Sequence, residues 1–426
     1  MIANKTILII VLGLWILIVA IYLNNTPLET RSHDWDAHLQ YTEIIVNQHH
    51  LPKPYEGYHT YHSPLYYLII SAILPPQFRT DPANHHRFAR VLSVVFGVLT
   101  IVIMAWGIER LTKDKFVELL VLLFITTTPK FVITFSTYNN DSLSTLLCVL
   151  VMAICYQLYN NWSWKLAIKL LVVATASIYT KYTSVFCFAV IFLICCKNLL
   201  QQKFSGLIQI RIIVILLLST VLFTPWMVFH NYQYTGKLVP TSFDSKINPQ
   251  FNLGEINNTL STVFKNPLSN QFPHEWDAPW AHPYERPETK QHDYPAFVFV
   301  TSVLSEFILQ TPNINFIWTI LWIHLFAYIL GIREIFRSTI TKLSAYFILL
   351  SHLIHIVNIS RVTVPVFGCF MDFRYICWTW AAWAILYASA FSNKSEWSWI
   401  LSRLLVIGIF IHIYILVNAA PLLNSS

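Results

Sequence analysis

Five short constellations carry the residues able to do chemistry. The first is Asp34–Trp35–Asp36–Ala37–His38. A carboxylate placed here can act as general base on a hydroxyl, or Asp34, with Ser32, can cap and open a helix. Asp34 and Asp36 are two residues apart, so they do not share a helix face and one substrate atom draws on at most one of them. The second is His59–Thr60–Tyr61–His62–Ser63–Pro64–Leu65–Tyr66–Tyr67. Its imidazoles can hydrogen-bond a substrate, and His59 and His62 are the residues to hold a divalent metal with one of the acids. Their spacing is nevertheless not that of a zinc site. The third, Tyr138–Asn139–Asn140–Asp141, follows Pro129, and Asp141 serves equally as an ionisable group at a helix boundary or as that helix's cap. The fourth, Tyr179–Thr180–Lys181–Tyr182, offers an ammonium to an anion or a snorkelling anchor. The fifth is Asp372–Phe373–Arg374–Tyr375, where the guanidinium fork suits a phosphate, either of a ligand or of a lipid headgroup.

What must position these groups is a membrane scaffold. Of 426 residues 55% are hydrophobic and only 12% charged, and the mean hydropathy is +0.53. A soluble chain carries about 25% charged residues. Apolar runs fall near 7–23, 89–109, 117–136, 142–159, 166–179, 182–197, 210–227, 315–332, 341–358, 375–391 and 400–419. Each is close to the length that crosses a bilayer, which predicts an all-α, polytopic membrane protein with about eleven transmembrane helices. The run from Ile7 to Leu23 is read as an uncleaved first span, because no small-residue cleavage site follows it.

The net charge of +7 does not point to nucleic acid, since the basic residues are spread over short loops. With a cytoplasmic amino terminus, Arg110, Lys113, Lys115, Lys165, Lys169, Lys197, Lys203, Arg211, Arg333, Arg337, Lys342 and Lys394 all fall on the cytoplasmic side. Lys181, at an outer end, breaks that pattern. The long segments 24–88 and 228–315 then both face outward, and all five constellations lie on or beside that face. Within 24–88, residues 34–50 read as a surface helix ended by Pro52 and Pro54, and Pro64–Ile70 as a short run along the membrane. The seven cysteines show neither metal nor disulfide spacing.

The order of these features resembles the GT-C class of membrane glycosyltransferases, most closely the protein O-mannosyltransferase and aminoarabinose-transferase branch. That branch has an acidic motif after the first span, matched by Asp34–Trp35–Asp36–Ala37–His38. A proline-aromatic run matches His62–Ser63–Pro64–Leu65–Tyr66–Tyr67, and an arginine-rich start of the second span matches Arg87–Phe88–Ala89–Arg90. A proline with a later Asn-Asp matches Pro129 and Asn140–Asp141, a lysine after the fifth span matches Lys181, and an Arg-Tyr matches Arg374–Tyr375. The likeness covers residues 7 to 391, with two departures: Trp35 stands where the branch has a second acid, and Ser63 where aminoarabinose transferases have lysine.

The resemblance implies a single transmembrane domain over 1–426, with a catalytic first loop. The substrate is a polyprenyl-phosphate sugar, which enters as donor rather than as resident cofactor, and the partners are membrane lipid and a hydroxyl acceptor. Transfer inverts the anomeric centre on the external face, in a bacterial plasma membrane. Asp34, or Asp36, would be the base. Arg374 and Lys181 would hold the donor phosphate, and His38, His62, Tyr66, Asn140, Asp141 and Tyr375 would contact substrate. The competing readings are a lipid-linked oligosaccharide ligase and a polytopic transporter.

Overall fold

The computed structural model describes residues 5–26, 34–112, 114–201, 206–240, 298–299, 302–304, 314–333, 339–360, 373–391 and 396–417. Among these the chain is predominantly helical, with no strand. In order the helices are α1 (Lys5–Asn25), α2 (Trp35–Gln48), α3 (Leu65–Ile73), α4 (Pro82–Glu109), α5 (Lys115–Thr126), α6 (Pro129–Thr134), α7 (Asp141–Asn160), α8 (Trp164–Thr180), α9 (Ser184–Gln201) and α10 (Leu207–Pro225). They are followed by α11 (Ile314–Arg333), α12 (Thr339–Ser360), α13 (Trp380–Phe391) and α14 (Glu396–Val417).

The protein is a polytopic membrane protein. Five helices are long and apolar enough to cross a bilayer: Lys5–Asn25, Pro82–Glu109, Asp141–Asn160, Leu207–Thr235 and Ser398–Val417. Three shorter apolar stretches, Ser184–Lys197, Trp318–Gly331 and Thr341–Val357, add to them. Large apolar side chains stand exposed along these elements, Ile9 at 70% and Val221 at 61% among them, as a lipid-facing surface requires.

Among the described residues each of the eleven apolar runs falls largely on helix, but proline redraws several boundaries. The expected span 117–136 is broken into α5 and α6 at Thr127–Thr128. Pro129 cannot donate to the helical ladder and crowds the carbonyl four residues back. It also forces the preceding Thr128 out of the helical region, to ψ 128°. Pro225 sits inside a longer helix, and the backbone after it widens into a π-helical stretch, Trp226–Tyr232. A final turn stops at Gly236, whose φ of 74° is the left-handed stop glycine supplies. The segment expected to be loop from 228 is therefore helical as far as Thr235, and most of residues 241–313 lie outside the described residues. Residues 82–88, expected in the first loop, belong to α4, and Arg374–Tyr375 lie in a 3-10 turn ahead of α13 rather than in a span.

The chain divides into two compact units. One comprises residues 1–31, 98–136 and 255–426, the other 32–97 and 137–254. In the first, α5 packs on α1, α13 and α14, and α13 on α11 and α12. In the second, α8 lies between α7 and α10, and α2 packs on α3 as a helix pair outside the spans, as the first loop was expected to contain.

Candidate active site

The second unit gathers most of the chemistry. Asp34 precedes α2 in a left-handed conformation, φ 56° and ψ 22°. Asp and Asn tolerate that region better than other residues with a Cβ, at some cost in strain. At this position an aspartate usually accepts from the first amides of the helix, but Asp34 makes no such bond. Its Oδ2 instead accepts from Nε2 of His59 at 2.9 Å. The carboxylate is 30% exposed while the imidazole is 7% exposed, so a buried donor holds an accessible base.

His59 is aimed by a tight turn. Thr60 Oγ1 donates to the Gly57 carbonyl at 2.9 Å and accepts from the Gly57 amide at 3.0 Å, and the His62 amide donates to the His59 carbonyl at 2.9 Å. A Cβ at Gly57 would meet the Gln40 side-chain amide, which would have to swing aside. His62 and His38 flank the His59 ring at centroid distances of 4.7 and 5.1 Å.

His38 is fully buried, and its Nδ1 shares a proton with the Tyr67 hydroxyl at 2.8 Å. Burial first, and then neighbouring His59, depresses its pKa to about 3, so its ring is neutral at physiological pH. The same two causes hold His62 well below the usual range. Beneath them, the Tyr138 hydroxyl pairs with Thr42 Oγ1 at 2.7 Å, and Thr42 Oγ1 pairs with Nε2 of His85 at 3.0 Å. Burial pushes the Tyr138 and Tyr66 hydroxyls up, so both stay protonated. Tyr66 approaches Ser93 at 3.5 Å, and Ser142 donates to the same serine at 3.2 Å.

The Asn140–Asp141 element works differently from a cap. Asn140 makes no side-chain cap bond; Asn139 supplies it, its Oδ1 accepting from the Ser142 amide at 3.1 Å. Asp141, at the electropositive end of α7, pairs with Lys181, which follows the last turn of α8. Both side chains are nearly buried, at 11% and 8% exposed. The ammonium that breaks the charge pattern of the loops is thus turned inward to a carboxylate rather than outward as an anchor.

Asp36 is exposed, and its Oδ1 accepts from the neighbouring Ala37 amide. Arg374 and Tyr375 belong to the first unit. There the guanidinium lies 5.2 Å over the Tyr375 ring and donates to its hydroxyl at 3.3 Å, and that ring rests 5.3 Å from His355. Among the described residues no group of three or more His, Cys, Asp and Glu side chains is arranged to hold a metal ion. His85 and His86 form part of the site and were not singled out from the sequence, because they sit at the head of an apolar run and read as the flank of a span. Adjacent histidines one helical turn before a buried Arg90 were the available signal.

No protein-family model and no curated protein sequence matches the chain. Solved structures do. ArnT from Cupriavidus metallidurans bound to undecaprenyl phosphate matches with TM-score 0.51 and 12% identity, over 94% of this chain and 62% of that one. The Archaeoglobus fulgidus oligosaccharyltransferase, in complex with Zn and sulfate, matches with TM-score 0.57 and 13% identity, over 97% and 54%. AglB from the same organism, with an inhibitory peptide and a dolichol-phosphate, gives 0.50, 11%, 97% and 56%. The chain therefore spans less than two thirds of these neighbours' length. At such identities the likeness is one of fold, and it is the GT-C fold that the order of motifs resembled.

Proposed function

We propose that the protein is a membrane glycosyltransferase moving a sugar from a polyprenyl-phosphate donor to a hydroxyl acceptor on the external face, with inversion. The observation that carries this reading is Asp34: an accessible carboxylate, released from helix capping and fixed by a buried imidazole. In the reaction Asp34 takes the acceptor's hydroxyl proton as that oxygen attacks the anomeric carbon. The bond from this carbon to the phosphate oxygen breaks, and its electron pair leaves with the polyprenyl phosphate. The fold shared with ArnT, solved with undecaprenyl phosphate, supports the donor class. Arg374, a residue of the first unit, is a separate proposal for binding the donor phosphate. Lys181 contributes charge as one half of a pair with Asp141. His59 orients the base, and neutral His38 and His62 are suited to hydroxyl groups. A bacterial plasma membrane is the proposed setting, and the distribution of basic loops supports an outward-facing first loop.

Two experiments test the reading. Mass spectrometry of lipids and glycoconjugates from cells with and without the protein should show one polyprenyl-phosphate sugar accumulating, and one glycosylated product missing, in its absence. No change in either contradicts the assignment. Arg374→Lys, which keeps charge but loses the bidentate fork, should weaken donor affinity; unchanged affinity removes Arg374 from the phosphate site.

A further inference from the structure

The second unit contains buried imidazole nitrogens that the proposed transfer does not use. His86 is 1% exposed, and neither of its ring nitrogens has a hydrogen-bond partner. His85 is equally buried; its Nε2 meets Thr42 while its Nδ1 has no partner. His62 Nδ1 and His59 Nδ1 are in the same condition. These rings are contiguous. Tyr138 lies 5.8 Å from His86, 6.1 Å from His85 and 5.9 Å from His38, whose ring is 6.3 Å from His62 and 5.1 Å from His59. Trp35 stands edge-on to His86 at 5.3 Å.

A buried polar atom left unsatisfied costs about 1–3 kcal/mol, and such atoms are rare enough in folded proteins that each needs a partner found for it. Here five such ring nitrogens sit together on four adjoining histidines. A neutral imidazole has one donor and one acceptor nitrogen. A pair of neighbouring imidazoles thus presents the mixed donor and acceptor set that matches vicinal hydroxyls, each of which also both donates and accepts. The face of an aromatic ring suits the apolar C–H face of a pyranose or furanose, and Trp35 is the aromatic side chain beside them.

We propose that His85 and His86, with Tyr138 and Trp35, form a subsite for the hydroxyl groups of the sugar. This rests on the glycosyltransferase reading and adds to it the residues that distinguish a sugar-bearing lipid from the bare lipid phosphate.

The test is binding to the full-length protein in nanodiscs, by native mass spectrometry. The probes are undecaprenyl phosphate alone and undecaprenyl phosphate carrying mannose, glucose or aminoarabinose. At least one sugar-bearing lipid should bind about tenfold more tightly than the bare lipid, the increment of one or two hydrogen bonds. His86→Phe should erase that increment without changing affinity for bare undecaprenyl phosphate. His86→Gln, which restores a donor and an acceptor, should recover part of it and covers the case in which the phenylalanine variant does not fold. An increment that survives in both His86→Phe and His85→Phe overturns the subsite, leaving ordered water as the partner of these nitrogens. Bare lipid bound with no increment for any sugar overturns it too, while leaving the glycosyltransferase reading standing. Binding of no polyprenyl phosphate at all refutes both.

Discussion

Two groups of buried histidines in this molecule are put to opposite ends. In the first unit, His324 on α11 and His412 on α14 approach Nε2 to Nε2 at 3.1 Å, and Nδ1 of His412 meets Thr127 Oγ1 at 3.2 Å. The Thr127 hydroxyl hydrogen is given to the Leu123 carbonyl at 2.8 Å, so His412 must donate through Nδ1 and accept at Nε2 from His324. Three of the four ring nitrogens are consumed internally, against the Phe124 ring 4.4 Å from His324. In the second unit the imidazoles are as deeply buried but open: five nitrogens on His59, His62, His85 and His86 have no partner. One of these rings also holds an accessible carboxylate. Burial alone therefore does not mark function in this protein. A closed chain of histidines ties spans together, whereas an open one beside a loop is equipped to receive a ligand.

Breaking buried polar pairs should give the largest losses of stability. Lys181→Met leaves Asp141 as an uncompensated buried charge, a loss of about 3–5 kcal/mol. Lys181→Met combined with Asp141→Leu should recover most of it in thermal unfolding of the reconstituted protein. No recovery means the pair is not held together by charge. On the closed side, His412→Phe should cost about 2 kcal/mol by stranding Thr127 and His324, with transfer per folded molecule unchanged. A fall in turnover without a fall in stability would show that the His324–His412 chain is functional, and the contrast between the two groups would collapse.

Smaller is the dependence on pH that the buried histidines of the second unit contribute. His38 has a folded-state pKa near 3 against an ordinary value of 6.5, because burial disfavours the charged ring. His62 is shifted in the same direction. Between those limits the unfolded chain binds protons that the folded chain cannot, so stability rises with pH across that window and is lost as pH falls below about 6.5. The unfolding temperature should drop between pH 7 and pH 5, and His38→Gln should flatten that drop. An identical slope in the variant would mean the acid sensitivity arises elsewhere.

Much of this architecture was legible in the sequence. Apolar length and basic loops pointed to the class and nearly all helices, and the order of short motifs pointed to the GT-C fold. What escaped was set by single residues acting through space. Thr127–Thr128–Pro129 reads as part of an apolar run, and only the backbone shows the proline ending α5. Asp34 reads as a cap until the left-handed backbone turns its carboxylate toward His59, twenty-five residues away in sequence. Lys181 reads as a phosphate ligand or an anchor because nothing local announces that Asp141 faces it. His85 and His86 were invisible for a related reason: their significance lies in the partners they lack, and a sequence records none of these.

The central claim is that Asp34 is the base and that His59 holds it. Single-turnover transfer and donor binding, measured side by side for Asp34→Asn, Asp36→Asn, His59→Phe and the double variant Asp34→Asn with His59→Phe, test it most directly. Asp34→Asn should lower turnover by about a hundredfold to ten-thousandfold with donor binding intact. Asp36→Asn should be near wild type, and His59→Phe should be harmful alone yet add nothing once Asp34 is gone. Full turnover by Asp34→Asn in a folded, donor-binding protein would contradict it.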